Sequence, residues 1–162
     1  MVIIVDIDGT IADTKERAMK YLETSPKDWD KFYDSCAEDK PIKGVIEVVK
    51  HLEQTNYVIF VSGRRESCRK DTVEWINRNM PFLALPTPSF TADKVMCYSL
   101  YLRENGDTRH DTVVKPELLE KAFKEERIDK SKVLCILEDR NSMVRKWREL
   151  GYTCLQVAEG DF

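Results

Sequence analysis

The chain opens with MVIIVDIDGT, and this stretch limits the possible folds more than any other. Val2 to Val5 is a run of four apolar residues. Such a run suits a strand covered on both faces, as in a parallel α/β sheet. It leads straight into two carboxylates, Asp6 and Asp8, and then Gly9 and Thr10. In open α/β sheets, ligands bind just outside the carboxyl ends of the strands, where these acids stand. Alternation along the strand points both side chains the same way, and Gly9 allows a tight turn with the backbone close to whatever is bound. Two acids held so close repel, so the pair needs a cation or a shared proton. The chemistry indicated is a metal-assisted site with a carboxylate nucleophile. A calcium loop also opens with D-x-D, but it requires glycine at its sixth position and glutamate at its twelfth. Ile11 and Arg17 stand there instead, which excludes it.

The rest of the chain alternates short apolar strands with amphipathic helices, the pattern of βαβ units. Tyr57 to Val61, Val133 to Leu137 and Thr153 to Val157 read as further strands, the last nearer an edge because Gln156 interrupts it. Helices are predicted at about 13–23, 43–54, 66–79, 116–126 and 140–149. The fourth begins at Pro116, which suits a first turn, and Gly151 reads as the glycine ending the last. Two stretches break the alternation. Residues 24–41 carry Trp29, Phe32 and Tyr33 among acids and read as a short helical insertion over the site. Residues 81–114 read as a β-hairpin excursion or a second small lid, entered irregularly through Pro81, Pro86 and Pro88. The expected organisation is one domain over 1–162 with small cap insertions at about 14–41 and 81–112.

Bulk properties narrow the function classes. No stretch approaches the roughly 18 apolar residues that span a bilayer, and the N-terminal run is too short, and lacks the basic flank, for a signal peptide. The five cysteines (Cys36, Cys68, Cys97, Cys135, Cys154) are widely spaced with no C-x-x-C pair. They suit reduced thiols rather than a disulfide frame or zinc site. A cytoplasmic protein is expected, in the host cytoplasm if viral. A net charge of −3 argues against a long basic groove for nucleic acid; a strand end needs only a local cluster of cations.

Three more polar clusters fall at strand ends or helix starts. Ser62-Gly63-Arg64 follows the second strand, and a hydroxyl plus backbone N–H groups at such a turn can hold a phosphate or simply cap a helix. Lys115 precedes Pro116 at a predicted helix start, where a cation opposes the macrodipole and needs another partner. Glu138-Asp139 ends the third strand opposite Asp6 and Asp8. That pair could complete an oxygen-rich Mg²⁺ site or cap the last helix.

In this order (D-x-D-G-T, S-G-R, K, E-D) the sequence resembles the haloacid dehalogenase superfamily of phosphatases. The stretch Arg103 to Lys115 (RENGDTRHDTVVK) and the end from Trp147 to Phe162 look more narrowly like the 3′-phosphatase half of phage-type polynucleotide kinase-phosphatase. The resemblance implies a three-layer Rossmann-like α/β sandwich with a central parallel sheet and a small cap. It implies Asp6 as nucleophile through an aspartyl-phosphate, Asp8 as general acid and then base, and Lys115 as a catalytic cation. Thr10, Ser62 and Lys115 would hold phosphoryl oxygens, with Gly63, Arg64, Arg109 and Asp111 as further substrate-binding positions. Mg²⁺ would be held by Asp6, the main-chain carbonyl of Asp8, and Glu138 or Asp139. Glu138 departs from the aspartate usual in relatives, which leaves the choice between the two acids open. No G-x-x-x-x-G-K-[ST] loop is present, so a kinase half is not expected here, and a separate polynucleotide kinase or ligase is an expected partner.

The substrate expected is a 3′-phosphorylated DNA or RNA end. Arg64, Arg65, Arg69, Arg103, Arg109 and His110 are candidate backbone contacts, and Trp29, Phe32 and Tyr33 candidate stacking rings. A mononucleotidase is the alternative. A binding protein that kept the fold and lost activity fits less well with Asp6, Asp8, Ser62 and Lys115 all in place.

Overall fold

The computed structural model of the chain describes residues 1–85 and 95–160. Its centre is a five-stranded sheet, all strands parallel. The strands are β1 (Val2–Val5), β4 (Tyr57–Arg65), β7 (Tyr98–Arg103), β8 (Val133–Arg140) and β9 (Cys154–Gly160). Their spatial order is β7-β4-β1-β8-β9. The strand that carries the first motif is therefore central, with β4 and β8 beside it.

Alternation along β1 divides the core into two layers. Val2 and Ile4 face α5 (Asp111–Glu126) and α6 (Asn141–Glu149), packing with Leu118, Leu119, Met143 and Trp147. Ile3 and Val5 face α3 (Lys43–Leu52) and α4 (Arg69–Asn79), packing with Ile46, Val49, Trp75 and Ile76. Helices on both faces of a parallel sheet make the three-layer α/β sandwich expected from the continuous apolar runs.

Both strands flanking β1 run further than the apolar pattern predicts. β4 continues through Ser62 to Arg65, and its register against β7 shifts between Ser62 and Arg65. β8 continues through Glu138 and Asp139, with a register shift between Glu138 and Arg140. Irregularities of this kind re-aim side chains at the end of a sheet.

The first insertion leaves and returns through a two-stranded ribbon, β2 (Ala12–Asp13) against β3 (Lys40–Pro41). Between them lie α1 (Lys15–Tyr21) and α2 (Trp29–Asp34). The second excursion differs from its expectation. Ala84–Leu85 (β5) pairs with Val95–Met96 (β6) as a small ribbon, but Tyr98 to Arg103 returns to the main sheet as its edge strand. The sequence reading missed this strand because Ser99 and Arg103 interrupt its apolar run and it follows an irregular proline-rich entry. Residues 86–94, which fall within the expected lid, and Asp161 and Phe162 lie outside the described residues. Among the described residues, no helix is long and apolar enough to cross a membrane.

α5 also starts earlier than predicted. His110 caps it by accepting from the Thr112 N–H, and Pro116 lies inside the helix, not at its first position. Pro116 removes one backbone bond to Thr112, which the long helix tolerates. Lys115 consequently stands in the second turn. Its positive charge is matched by acids, as described next.

Candidate active site

Asp6 is buried at the end of β1, its backbone N–H bonded to the Leu137 carbonyl across the sheet. The Lys115 ammonium lies 2.8 Å from Asp6 Oδ1 and 2.9 Å from Glu138 Oε2, bridging the two acids. The contact with Asp6 is an ion pair off the hydrogen-bond direction, so Oδ1 keeps acceptor capacity that no donor fills among the described residues. Burial, and then the neighbouring Glu138 charge, pushes the Asp6 carboxyl up to about 8. Burial works against the charge on Lys115 too, but Asp6, Glu138 and Asp111 outweigh it and keep the ammonium protonated.

The two acids ending β8 have different surroundings. Glu138 is turned to the Lys115 ammonium and also accepts from the Trp147 indole N–H at 3.3 Å. Asp139 accepts from the Thr10 hydroxyl at 3.2 Å and stands against the first loop. Burial, with the Asp6 charge next, raises the Asp139 carboxyl to about 6. The loop itself is shaped for this approach. The Thr10, Ile11 and Ala12 N–H groups all converge on the Ile7 carbonyl, and Gly9 has φ +80°. A Cβ on Gly9 would lie 2.0 Å from Asp139 Oδ2.

The donor set fits a hard divalent cation. Carboxylate oxygens of Asp6, Glu138 and Asp139 all lie within 4.8 Å of one another, and all three residues are buried. One lysine balances only one of these three acids. Two carboxyls left without a cation in a buried, all-oxygen site suit a small dication such as Mg²⁺. With Glu138 committed to Lys115 and Trp147, Asp6 and Asp139 are the acids available to hold it.

Asp8 is oriented separately. Arg64 donates to Asp8 Oδ1 from Nε (2.9 Å) and Nη2 (2.6 Å), and Arg17 Nη2 donates to the same oxygen at 2.8 Å. The Asp8 side chain is 24% exposed, so it opens toward solvent. Burial alone would push its carboxyl up, but Arg64 and Arg17 overcome this and hold it near 2. The alternation along the first motif holds to this extent: Asp6 and Asp8 lie at one end of the sheet, each with a different set of cations.

The remaining candidates fall into two groups. Ser62 is fully buried, and its Oγ accepts from the Arg64 N–H at 3.3 Å. Gly63 packs so tightly on Asp111 that an added Cβ would stand 2.7 Å from Asp111 Oδ1. Asp111, the first residue of α5, takes Arg103 on Oδ1 and Arg140 Nη1 on Oδ2 at 2.7 Å. Burial opposes the Asp111 charge, but Lys115, Arg140 and Arg103 prevail and hold its carboxyl below the usual range. Arg109 is not brought into this cluster. Its exposed guanidinium pairs with Asp107 at 2.7 Å and Glu117 at 2.8 Å, bracing the loop before α5.

Sequence reasoning did not find Arg17 or Asp39, both supplied by the first insertion. Arg17 sits in a seven-residue helix whose pattern carries no sign of a buried charge, and Asp39 is one acid of many in that stretch. The expected cation cluster is mostly engaged internally. Arg64 serves Asp8 and Asp39, Arg69 reaches Glu66 and the Leu100 carbonyl, and Arg103 holds the Gly63 carbonyl. Arg65 lies 4.5 Å above the Tyr33 ring and pairs with Asp30 at 2.6 Å. Tyr33 in turn stacks with the exposed Trp29 at 6.3 Å. Phe32 is buried beneath the Arg17 guanidinium at 4.0 Å.

Comparison with known proteins agrees with this geometry. A baculovirus protein of Autographa californica nuclear polyhedrosis virus, named as a candidate bifunctional polynucleotide kinase/RNA ligase, is 27% identical over 150 residues, 91% of this chain but 18% of its own. A chain in the structure of the Pnkp1/Rnl/Hen1 RNA repair complex superposes with TM-score 0.70 at 29% identity, covering 99% of this chain and 43% of that one. The chain thus spans less than half the length of these relatives. A haloacid dehalogenase-like hydrolase of Streptococcus pneumoniae shares the fold at TM-score 0.61 and 13% identity, over 96% of this chain and 83% of its own. The family described as the polynucleotide kinase PNKP phosphatase domain matches residues 1–162 throughout, and the chain belongs to that family of haloacid dehalogenase-type phosphatases.

Proposed function

We propose that this chain is a Mg²⁺-dependent phosphomonoesterase that removes terminal 3′-phosphates from polynucleotide ends through an aspartyl-phosphate on Asp6. The observation that carries the reading is the division of labour between the two acids of the first loop. Asp6 is ion-paired to a buried lysine, and Asp8 is held by two guanidiniums on one oxygen.

Asp6 attacks phosphorus, and the bond from phosphorus to the sugar oxygen breaks. Asp8 gives that leaving oxygen a proton. A water then attacks the phosphoryl group, returns a proton to Asp8 and releases Asp6 with inorganic phosphate. Asp8 Oδ1 takes all three guanidinium bonds, so Oδ2 is the oxygen assigned to the proton. The negative charge of a bound phosphate opposes the guanidiniums and favours the protonated form of Asp8. Lys115, Thr10 and Ser62 hold phosphoryl oxygens, and Gly63 lets the backbone come close. Arg64 acts through Asp8, and Asp111 acts by holding Arg103 and Arg140. Asp6, Asp139 and the Asp8 carbonyl would hold Mg²⁺, which would supply the positive charge that lets an anionic nucleophile meet an anionic phosphate. Glu138 fixes Lys115. Arg109 is assigned to the approach of the strand, because its exposed ion pairs are weak enough for a phosphate to displace.

Trp29, Tyr33 and Arg65 support a nucleic-acid end as substrate, since stacked rings and a cation suit a terminal base and its backbone. The names of the relatives support a setting of nucleic-acid repair, with a separate kinase or ligase as partner in the cytoplasm of the host if the chain is viral. The organisation that accompanies this reading is one domain over 1–162, with 14–41 and part of 81–112 as caps.

The test is Mg²⁺-dependent phosphate release from a 3′-phosphorylated oligonucleotide beside 3′- and 5′-mononucleotides. Release from the oligonucleotide that Asp6→Asn abolishes is the result expected. Release from mononucleotides alone would move the activity to nucleotide metabolism.

A further inference from the structure

Asp39 is a buried carboxylate at the end of the first insertion, remote in sequence from every motif. Arg17 grips it with two nitrogens, Nε to Oδ1 at 2.9 Å and Nη2 to Oδ2 at 2.8 Å. The same Arg17 Nη2 reaches Asp8 Oδ1 at 2.8 Å. Arg64 repeats the bridge, its Nη2 lying 2.8 Å from Asp39 Oδ2 and 2.6 Å from Asp8 Oδ1. Each guanidinium thus spans both acids through one nitrogen. Asp39 is itself fixed to the body, because the Trp75 indole N–H of α4 donates to its carbonyl at 2.7 Å. Two further contacts set the arginines. Arg17 Nη1 donates to the Phe32 carbonyl at 2.8 Å, and Arg64 Nη1 to the Thr72 hydroxyl at 3.3 Å.

We propose that Asp39 is a positioning residue for proton transfer: it locks Arg17 and Arg64 so that both hold Asp8 by Oδ1, leaving Oδ2 for the leaving-group proton. This inference rests on the reading of Asp8 as the proton donor. Electrostatic balance alone would be met by any acid nearby. A bidentate grip on Arg17 with a shared nitrogen on Asp8 does more, since a planar guanidinium held at two points cannot swing. Without Asp39 each arginine can rotate onto both Asp8 oxygens and occupy the one that carries the proton. A sugar oxygen is a poor leaving group and needs that proton. A nitrophenolate leaves without it, so its release in the first turnover of p-nitrophenyl phosphate, before Asp8 acts as base, reports on nucleophile and phosphate binding alone.

The experiment measures KM and the first-turnover rate of leaving-group release for a 3′-phosphorylated oligonucleotide and for p-nitrophenyl phosphate, in the wild type, Asp39→Asn and Arg17→Lys. Lysine can reach either acid but cannot bridge both as the fork does. General acid catalysis is worth about 10²–10⁴-fold, so the first-turnover rate on the oligonucleotide falls at least about tenfold further than that on the aryl ester in both variants. Equal losses on the two substrates would overturn the inference and leave Asp39 a structural residue. So would no loss at all. A wild type inactive on both esters would overturn the phosphatase reading itself. If Asp39→Asn unfolds, seen as loss of its cooperative melt, the ratio in Arg17→Lys decides.

Discussion

At the residue scale, Gly9 is the tightest constraint in the site. Its φ of +80° disfavours any L side chain, and a Cβ there would meet Asp139 Oδ2 at 2.0 Å. Left-handed backbone costs an ordinary residue about 1–2 kcal/mol, and the carboxylate must also move off the acid cluster. Gly9→Ala is therefore expected to lose about 1–3 kcal/mol of stability by chemical denaturation. It is also expected to lose most of its Mg²⁺-dependent activity, a larger effect than the stability change explains. Wild-type activity in this variant would contradict the close approach of loop and acid. The D-x-D-G-T motif made this position legible, because turn and acids are adjacent in sequence. The partners of Asp8 were not legible, because Arg17 and Asp39 come from a segment with no motif.

Among the elements, α2 has the clearest functional consequence. It presents Trp29 to solvent and stacks it on Tyr33, a ring that Arg65 of β4 also covers. If this surface receives a terminal base, stacking of about 1–3 kcal/mol is at stake. Trp29→Ala then raises KM for a 3′-phosphorylated oligonucleotide roughly fivefold or more, with kcat held and KM for glycerol phosphate unmoved. A KM unchanged on the oligonucleotide would remove the ring from the substrate path. The aromatic residues of this helix were readable as a group, yet only the fold separates Phe32, buried under Arg17, from the exposed Trp29. The strands with continuous apolar runs were legible. β7 was not: it is an edge strand interrupted by Ser99, and its pattern does not differ from that of a hairpin arm. The start of α5 was also hidden, since Pro116 signals a first turn but His110 supplies the cap.

Over the whole molecule, folding buries an acid cluster with too few cations to pair it. Asp6, raised to about 8, and Asp139, raised to about 6, hold protons in the folded protein that the unfolded chain, near its ordinary carboxylate range, gives up. Wherever the folded state binds more protons, stability falls as pH rises. The metal-free protein is thus expected to melt at a lower temperature at pH 8 than at pH 6. Added Mg²⁺ raises Tm by mass action, most at pH 8, where both acids are closest to ionised. Asp8, held near 2, opposes this trend only in strong acid, losing its contribution as pH falls below the ordinary carboxylate range toward 2. A melting series in chelator and in Mg²⁺ checks the sign. A Tm that rises from pH 6 to pH 8 in chelator would contradict the buried, under-compensated cluster, and an Asp139→Asn variant should respond less to Mg²⁺.

The phosphoryl group can be trapped on Asp6 itself. Asp8→Asn should react with p-nitrophenyl phosphate, whose leaving group needs no proton, and then stall because no base activates the hydrolytic water. Acid quenching followed by peptide mass analysis is predicted to find one phosphoryl group on the peptide that contains Asp6, labile to hydroxylamine. A burst of about one equivalent of nitrophenolate should accompany it. Nitrophenolate release without any phosphoryl group on Asp6, or with that group on another residue, would contradict the account.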